Sequence, residues 1–190
     1  MKKLSGFSRI VMVLAIIIGG VSIVSQLTSL AMTDGLREIT DAEFWINIRE
    51  GELRYRLQMA SIAFEKVNTW LVLPSTVDTA KQRLIVLNTD LASALEEGNL
   101  ELAIQIFQQA KNEAVDIRNA LHSQPEWQYS YTELQDITIG FMRIYIIQSQ
   151  LAERQTEFNE VCNTYTLHCI LVGGPRSVVE DPFAPDSPRT

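Results

Sequence analysis

Thr40-Asp-Ala-Glu-Phe-Trp-Ile-Asn-Ile-Arg-Glu-Gly-Glu-Leu-Arg-Tyr-Arg-Leu-Gln-Met-Ala-Ser-Ile62 is the stretch on which the reading of this chain turns. Its opening, Thr40-Asp-Ala-Glu43, has the form of a capping box, in which a Thr hydroxyl and a Glu carboxylate satisfy the free backbone donors of a first helical turn. A helix is therefore predicted to start here. Phe44, Ile48, Tyr55, Met59 and Ile62 recur at three- and four-residue steps, with Gly51 filling one of them. They form one apolar stripe, expected to face a core and to end near Leu73-Pro74.

Downstream, Ser75-Thr-Val-Asp78 reads as the next cap. The helix after it carries Leu84, Leu87, Leu91 and Leu95 on one face and stops at Gly98, a residue suited to a left-handed C-terminal cap. Asn99 can cap a third helix, with Leu102, Ile106, Ala110, Ile117 and Leu121 on its core side and Pro125 closing it. A fourth begins near Tyr131 and runs through Leu134, Ile137, Phe141, Tyr145, Leu151, Phe158 and Tyr165. Leu, Ile, Ala, Gln and Glu dominate this region, a helix-forming mixture. The expected fold is all-α, an antiparallel bundle of about four helices over residues 34–172. Gly173-Gly-Pro175, then Pro182, Pro185 and Pro188, predict a disordered tail over 173–190 that contributes nothing to folding.

Upstream, Lys2, Lys3 and Arg9 precede an apolar run from Ile10 to Val24, and no charge appears between Arg9 and Asp34. The ten Ile, Val and Leu side chains of that run contribute roughly −3 to −6 kcal/mol on an insertion scale. Residues 1–33 are read as a membrane segment of one of two kinds. A retained anchor needs about 20 residues and must take in Ser25, Gln26, Thr28 and Ser29. A cleaved signal peptide would use the small residues of Ser29-Leu-Ala31. Both place the bundle outside the cytoplasm, since the basic cluster stays inside while Asp34, Glu38, Asp41 and Glu43 follow the run.

The net charge of −7, with 16 Lys and Arg against 23 Asp and Glu, argues against nucleic-acid binding, which needs clustered cations. With only two histidines, no Ser-His-Asp or Cys-His arrangement can be placed, so no catalytic residue, cofactor or enzyme activity is expected. His122 reads as a solvated cation at a helix C-terminus. Trp45, Trp70 and Trp127 read as core or interface fillers at helix ends.

Cys162 and Cys169 flank Asn-Thr-Tyr-Thr-Leu-His168. Two thiols and one imidazole lack a fourth ligand, so no metal is expected. A disulfide and two free thiols both remain open: a continuous helix would hold the Cα atoms about 10 Å apart, too far to bridge. Asn163, Thr164, Tyr165 and Thr166 are poor helix formers, and a break there would let the sulfurs meet.

Two stretches resemble known families. Gly98-Asn-Leu-Glu-Leu-Ala-Ile-Gln-Ile-Phe-Gln-Gln-Ala110 resembles the turn and second helix of a tetratricopeptide repeat, but a single copy reads as a helical hairpin. Gln148 to Tyr165 resembles the last helix of the LemA family: Phe158-Asn-Glu-Val161 matches its first aromatic-Asn step, and Asn163-Thr-Tyr165 imitates the second. The Gly98 hairpin, Pro125-Glu126 and the N-terminal apolar run are similar to that family too. Its Arg-Arg and Ile-Pro-Asn signatures are missing, with Arg54-Tyr-Arg56 and Leu73-Pro74 in their place, and Gly173-Gly-Pro175 replaces the Phe-Pro after the last helix. The resemblance implies an anchored helical bundle and no catalysis.

The resulting expectation is a single-pass inner-membrane protein presenting an extracytoplasmic bundle to a protein partner or to itself. A ligand-sensing bundle is the alternative.

Overall fold

The computed structural model describes residues 6–69, 74–122 and 124–184, with residues 6–31, 68 and 76 as backbone alone. Among these the chain is all-α, with α1 (Gly6–Thr69), α2 (Ser75–Glu96), α3 (Leu100–Leu121), α4 (Gln128–Gly140), α5 (Met142–Thr164) and α6 (Thr166–Leu171), a 3-10 turn at Pro125–Trp127 and no strand. Among the described residues no helix is long and apolar enough to cross a membrane. The side chains of Ile10 to Ala31, on which the expectations of an anchor or a cleavage position rest, lie outside the described ones, as does Trp70.

The chain forms two compact units. One comprises Met1–Glu43 with Glu157–Arg176, the other Phe44–Thr156 with Ser177–Thr190.

In the larger unit, α2 and α3 form a helical hairpin whose turn follows from two residues. Gly98 sits at φ +77°, a conformation costly for any residue with a Cβ. Next to it, the Asn99 side chain accepts from the Leu102 backbone N–H at 3.1 Å, capping α3. Arg54 of α1 donates to the carbonyls of Leu95 and Gly98 at 3.3 and 3.4 Å, so the orphan acceptors at the end of α2 are met by a cation. The core of the unit centres on Phe64, Phe107 and Phe141, with ring centroids 5.1 to 6.3 Å apart. Phe64 and Phe107 are fully buried. Aromatic pairs of this kind contribute about 0.5–1.5 kcal/mol each beyond area burial, so α1, α3 and the break between α4 and α5 are joined at one point.

In the smaller unit, Ile39 of α1 and Phe158 of α5 are fully buried. Gly35 lies under the ring of Tyr165: a Cβ there would fall 2.7 Å from Tyr165 Cδ1. Tyr165, at φ −119° and ψ 56°, separates α5 from α6. That break brings Cys162 and Cys169 together as a disulfide, their Cα atoms 5.0 Å apart.

Several expectations are corrected. No helix starts at Thr40, which lies inside α1 and whose hydroxyl donates to the Leu36 carbonyl at 2.7 Å instead of capping. Ser75 begins α2 without a side-chain cap. The fourth helix is two helices, α4 and α5, interrupted at Phe141. There the Phe141 N–H reaches the Thr138 carbonyl at 3.3 Å, a tightened turn next to helix-disfavouring Gly140. Leu102 is 39% exposed, and the buried side of α3 is Ala103, Ile104, Ile106, Phe107, Ala110, Ala114, Ile117 and Leu121.

The tail is not disordered over residues 175–184. In the smaller unit, the Asn159 amide donates to the Arg176 carbonyl at 3.0 Å and accepts from the Arg176 N–H at 2.9 Å. In the larger one, Gln155 accepts from the Val179 N–H at 2.8 Å and Gln148 donates to the Glu180 carbonyl at 2.6 Å. The scarcity of apolar groups in the tail is real, since Val178 and Phe183 stay exposed. Backbone hydrogen bonds to side-chain amides order the segment in place of apolar burial.

Candidate interaction surface

The stripe Phe44, Ile48, Tyr55, Met59, Ile62 exists, but it faces solvent. Their exposures are 57, 39, 53, 40 and 50%. The core side of this part of α1 is a second apolar set, Ile46, Leu53, Leu57, Ala60, Phe64 and Val67, all buried. At 3.6 residues per turn the two sets project to opposite sides of the helix. Arg49, Glu50, Glu52, Arg54 and Arg56 lie between them. A helix apolar on two sides is ordinarily covered on both; among the described residues this part of α1 is buried on one, with Met59 and Ile62 on the other flanked by Ala92 and Leu95 of α2.

The outer stripe runs in two stretches, on either side of Gly51. It spans about 27 Å at 1.5 Å per residue and has no charged residue on its centre line from Phe44 to Ile62. Gly51 leaves a gap midway, where a Cβ would meet nothing within 4 Å. The edges are partly engaged within the unit: Arg49 pairs with Glu52 at 2.6 Å, the Arg56 guanidinium lies 5.8 Å from the centre of the Tyr55 ring, and the Arg154 guanidinium lies 6.0 Å from that of Trp45. Clustered exposed apolar area of this kind marks an interaction surface more often than isolated exposed residues do.

A groove of ≈ 560 Å³ lies between α2 and α3, lined by Gln82, Arg83, Val86, Leu87, Gln109, Asn112 and Glu113. Arg83 and Glu113 bridge it at 3.0 Å. It is shallow and open, unlike the enclosed clefts in which small ligands are usually held.

The remaining sequence candidates fall as follows. Trp45 is 46% exposed beside the stripe, and Trp127 is half-buried in the 3-10 turn. His122 follows the end of α3 with its ring 4.9 Å from that of Tyr131. Cys162 and Cys169 are buried and joined to each other, while the His168 ring lies 6.1 Å from that of Tyr165. Among the described residues no group of three or more His, Cys, Asp or Glu is placed to hold a metal ion. Sequence reasoning missed the buried Gln148 and Gln155, whose seven-residue spacing on one helix face was the available signal. It also missed Gly35, for which the sequence offered none.

No family model matches the chain, and neither a curated protein nor a solved structure is found to be similar to it. Nothing in these comparisons bears on the resemblance to the LemA family.

Proposed function

We propose that this chain is a membrane-anchored interaction or scaffold protein, with its helical bundle outside the cytoplasm and no catalytic chemistry of its own. The observation that carries the reading is the exposed apolar stripe of α1, which gives the bundle a surface for protein contact. The N-terminal run, basic before and acidic after, supports the topology. An extracytoplasmic, oxidising setting accords with the Cys162–Cys169 bond.

A reporter fused after Thr190 tests the topology: it is expected to be active only when exported, and a cytoplasmically active fusion refutes the placement. Cross-linking in intact membranes tests the function, with one dominant protein adduct expected. The α2–α3 groove is the one observation favouring a ligand-sensing bundle, and a small molecule that raised the melting temperature through Arg83 and Glu113 would support that second reading.

A further inference from the structure

We infer that the outer stripe of α1 is the seam of a parallel homodimer, a second copy of this chain supplying the matching stripe. The inference rests on the anchoring reading above and names the partner that this reading leaves open.

The spacing carries the first part of the argument. Ile48, Tyr55 and Ile62 are seven residues apart, and so are Phe44, Gly51 and Gln58, the last a polar residue of the kind that fixes register at a seam position. These are the two seam positions of a two-stranded coiled coil, in which the same residues meet across the axis. All six residues are in exposed positions on the side of α1 away from the core. The seam can therefore form without disturbing the Phe64–Phe107–Phe141 cluster.

Area carries the second part. The exposed fractions of Phe44, Trp45, Ile48, Tyr55, Met59 and Ile62, 39% to 57%, amount to on the order of 500 Å² per copy for side chains of this size. A symmetric pair covers at most about 1,000 Å², the threshold that a specific interface has to clear. That is marginal in dilute solution. Two anchors in one membrane confine the copies to a sheet and raise their effective concentration, so a modest seam suffices there.

A parallel pair meets no charge conflict. In a parallel pair the flanking positions that oppose each other are Asn47 with Glu52, Arg54 with Met59, and Ser61 with Lys66, and none is a like-charge pair. An antiparallel pair centred on the stripe brings Glu52 towards the second copy's Glu52 and Arg54 towards its Arg54, a like-charge meeting that the Arg49 partner of Glu52 and the Leu95 and Gly98 carbonyls on Arg54 only soften. The parallel arrangement is also the one available to two chains entering from the same membrane.

The test uses the full chain in its membranes, with Ile48→Cys, Tyr55→Cys or Ile62→Cys introduced singly and a mild oxidant added. The native cysteines are already joined to each other. Val86→Cys, 59% exposed on α2, is the reference for random collision. Each of the three stripe variants is expected to give a band of doubled mass at several times the yield of Val86→Cys. Adding Tyr55→Asp to Ile48→Cys is expected to reduce that yield at least tenfold while leaving the helical circular dichroism unchanged. Three outcomes overturn the proposal: yields no higher than the reference, adducts of another mass, or a dimer only when Phe44→Cys and Ile62→Cys chains are mixed, which is the antiparallel pattern. Alkaline washing of the same membranes reads the anchor separately. A chain released by the wash refutes anchoring whatever the dimer yield, and a retained chain without dimer refutes the seam alone.

Discussion

Replacing Gly35 with alanine isolates the closest approach in the smaller unit. The added methyl carbon would sit 2.7, 3.1 and 3.2 Å from Tyr165 Cδ1, Cγ and Cε1, against about 3.5–4.0 Å for carbon atoms at rest. The ring must retreat by nearly 1 Å. Its root atom Cγ is among the atoms struck, so rotating the ring alone does not relieve the contact, and the backbone at Tyr165 lies inside the loop closed by Cys162–Cys169. Overpacking of this kind costs about 1–3 kcal/mol, while removing a mid-helix glycine returns about 0.5–1 kcal/mol. The net expectation is a loss of up to about 2.5 kcal/mol, each kcal/mol corresponding to roughly 2–4 °C in melting temperature for a chain of this size. A double-mutant cycle with Tyr165→Ala separates the two effects. Without the ring, Gly35→Ala should become stabilising by about 0.5–1 kcal/mol. Thermal melts of the four proteins, followed by circular dichroism in detergent, provide the measurement. If Gly35→Ala stabilises in both backgrounds, Tyr165 does not pack on α1 and the account of the smaller unit fails.

Gly51→Ala, whose methyl meets open space, should raise the stability of the larger unit by about 0.5–1 kcal/mol, read from the denaturant midpoint. Phe107→Ala removes a fully buried ring in contact with Phe64 and Phe141 and should cost about 3–5 kcal/mol in the same assay. Reducing Cys162–Cys169 opens a short loop and should lower stability by about 2–3 kcal/mol in the chain-entropy model, seen as a reductant-dependent melting shift. Truncation after Val172 should lower the melting temperature, because it strips the backbone partners from Gln148, Gln155 and Asn159; an unchanged melt would show that the tail contacts contribute nothing.

What the sequence made legible was the chemistry written in neighbouring residues. Gly98 followed by Asn99 announced the α2–α3 turn because a left-handed cap and a side-chain N-cap each depend on one residue type at one position. The weak helix formers from Asn163 to Thr166 marked the region in which α5 breaks for the same local reason. The tail was illegible because its order depends on residues far back in the chain. Arg176 is held by Asn159, and its guanidinium meets Glu43 at 2.7 Å, whereas composition spoke only of prolines and few apolar groups. Likewise nothing near Gly35 indicated that an aromatic ring 130 positions onward, Tyr165, required it to lack a side chain.

The misassigned face of α1 has a different origin. Both stripes obey the helical repeat, and because they lie on opposite sides of one cylinder their contributions to any amphipathic pattern cancel. Choosing between Phe44-Ile48-Tyr55-Met59-Ile62 and Ile46-Leu53-Leu57-Ala60-Phe64-Val67 therefore required knowing which set the rest of the bundle could reach. The inner set ends in Phe64 and Val67, with the phenylalanine meeting Phe107 and Phe141, while Tyr55 at the middle of the outer set stays 53% exposed. Among the described residues α1 carries two apolar faces of which the bundle buries one, and the seven-residue recurrence of Ile48, Tyr55 and Ile62 along the other is the feature on which the proposed pairing with a second copy rests.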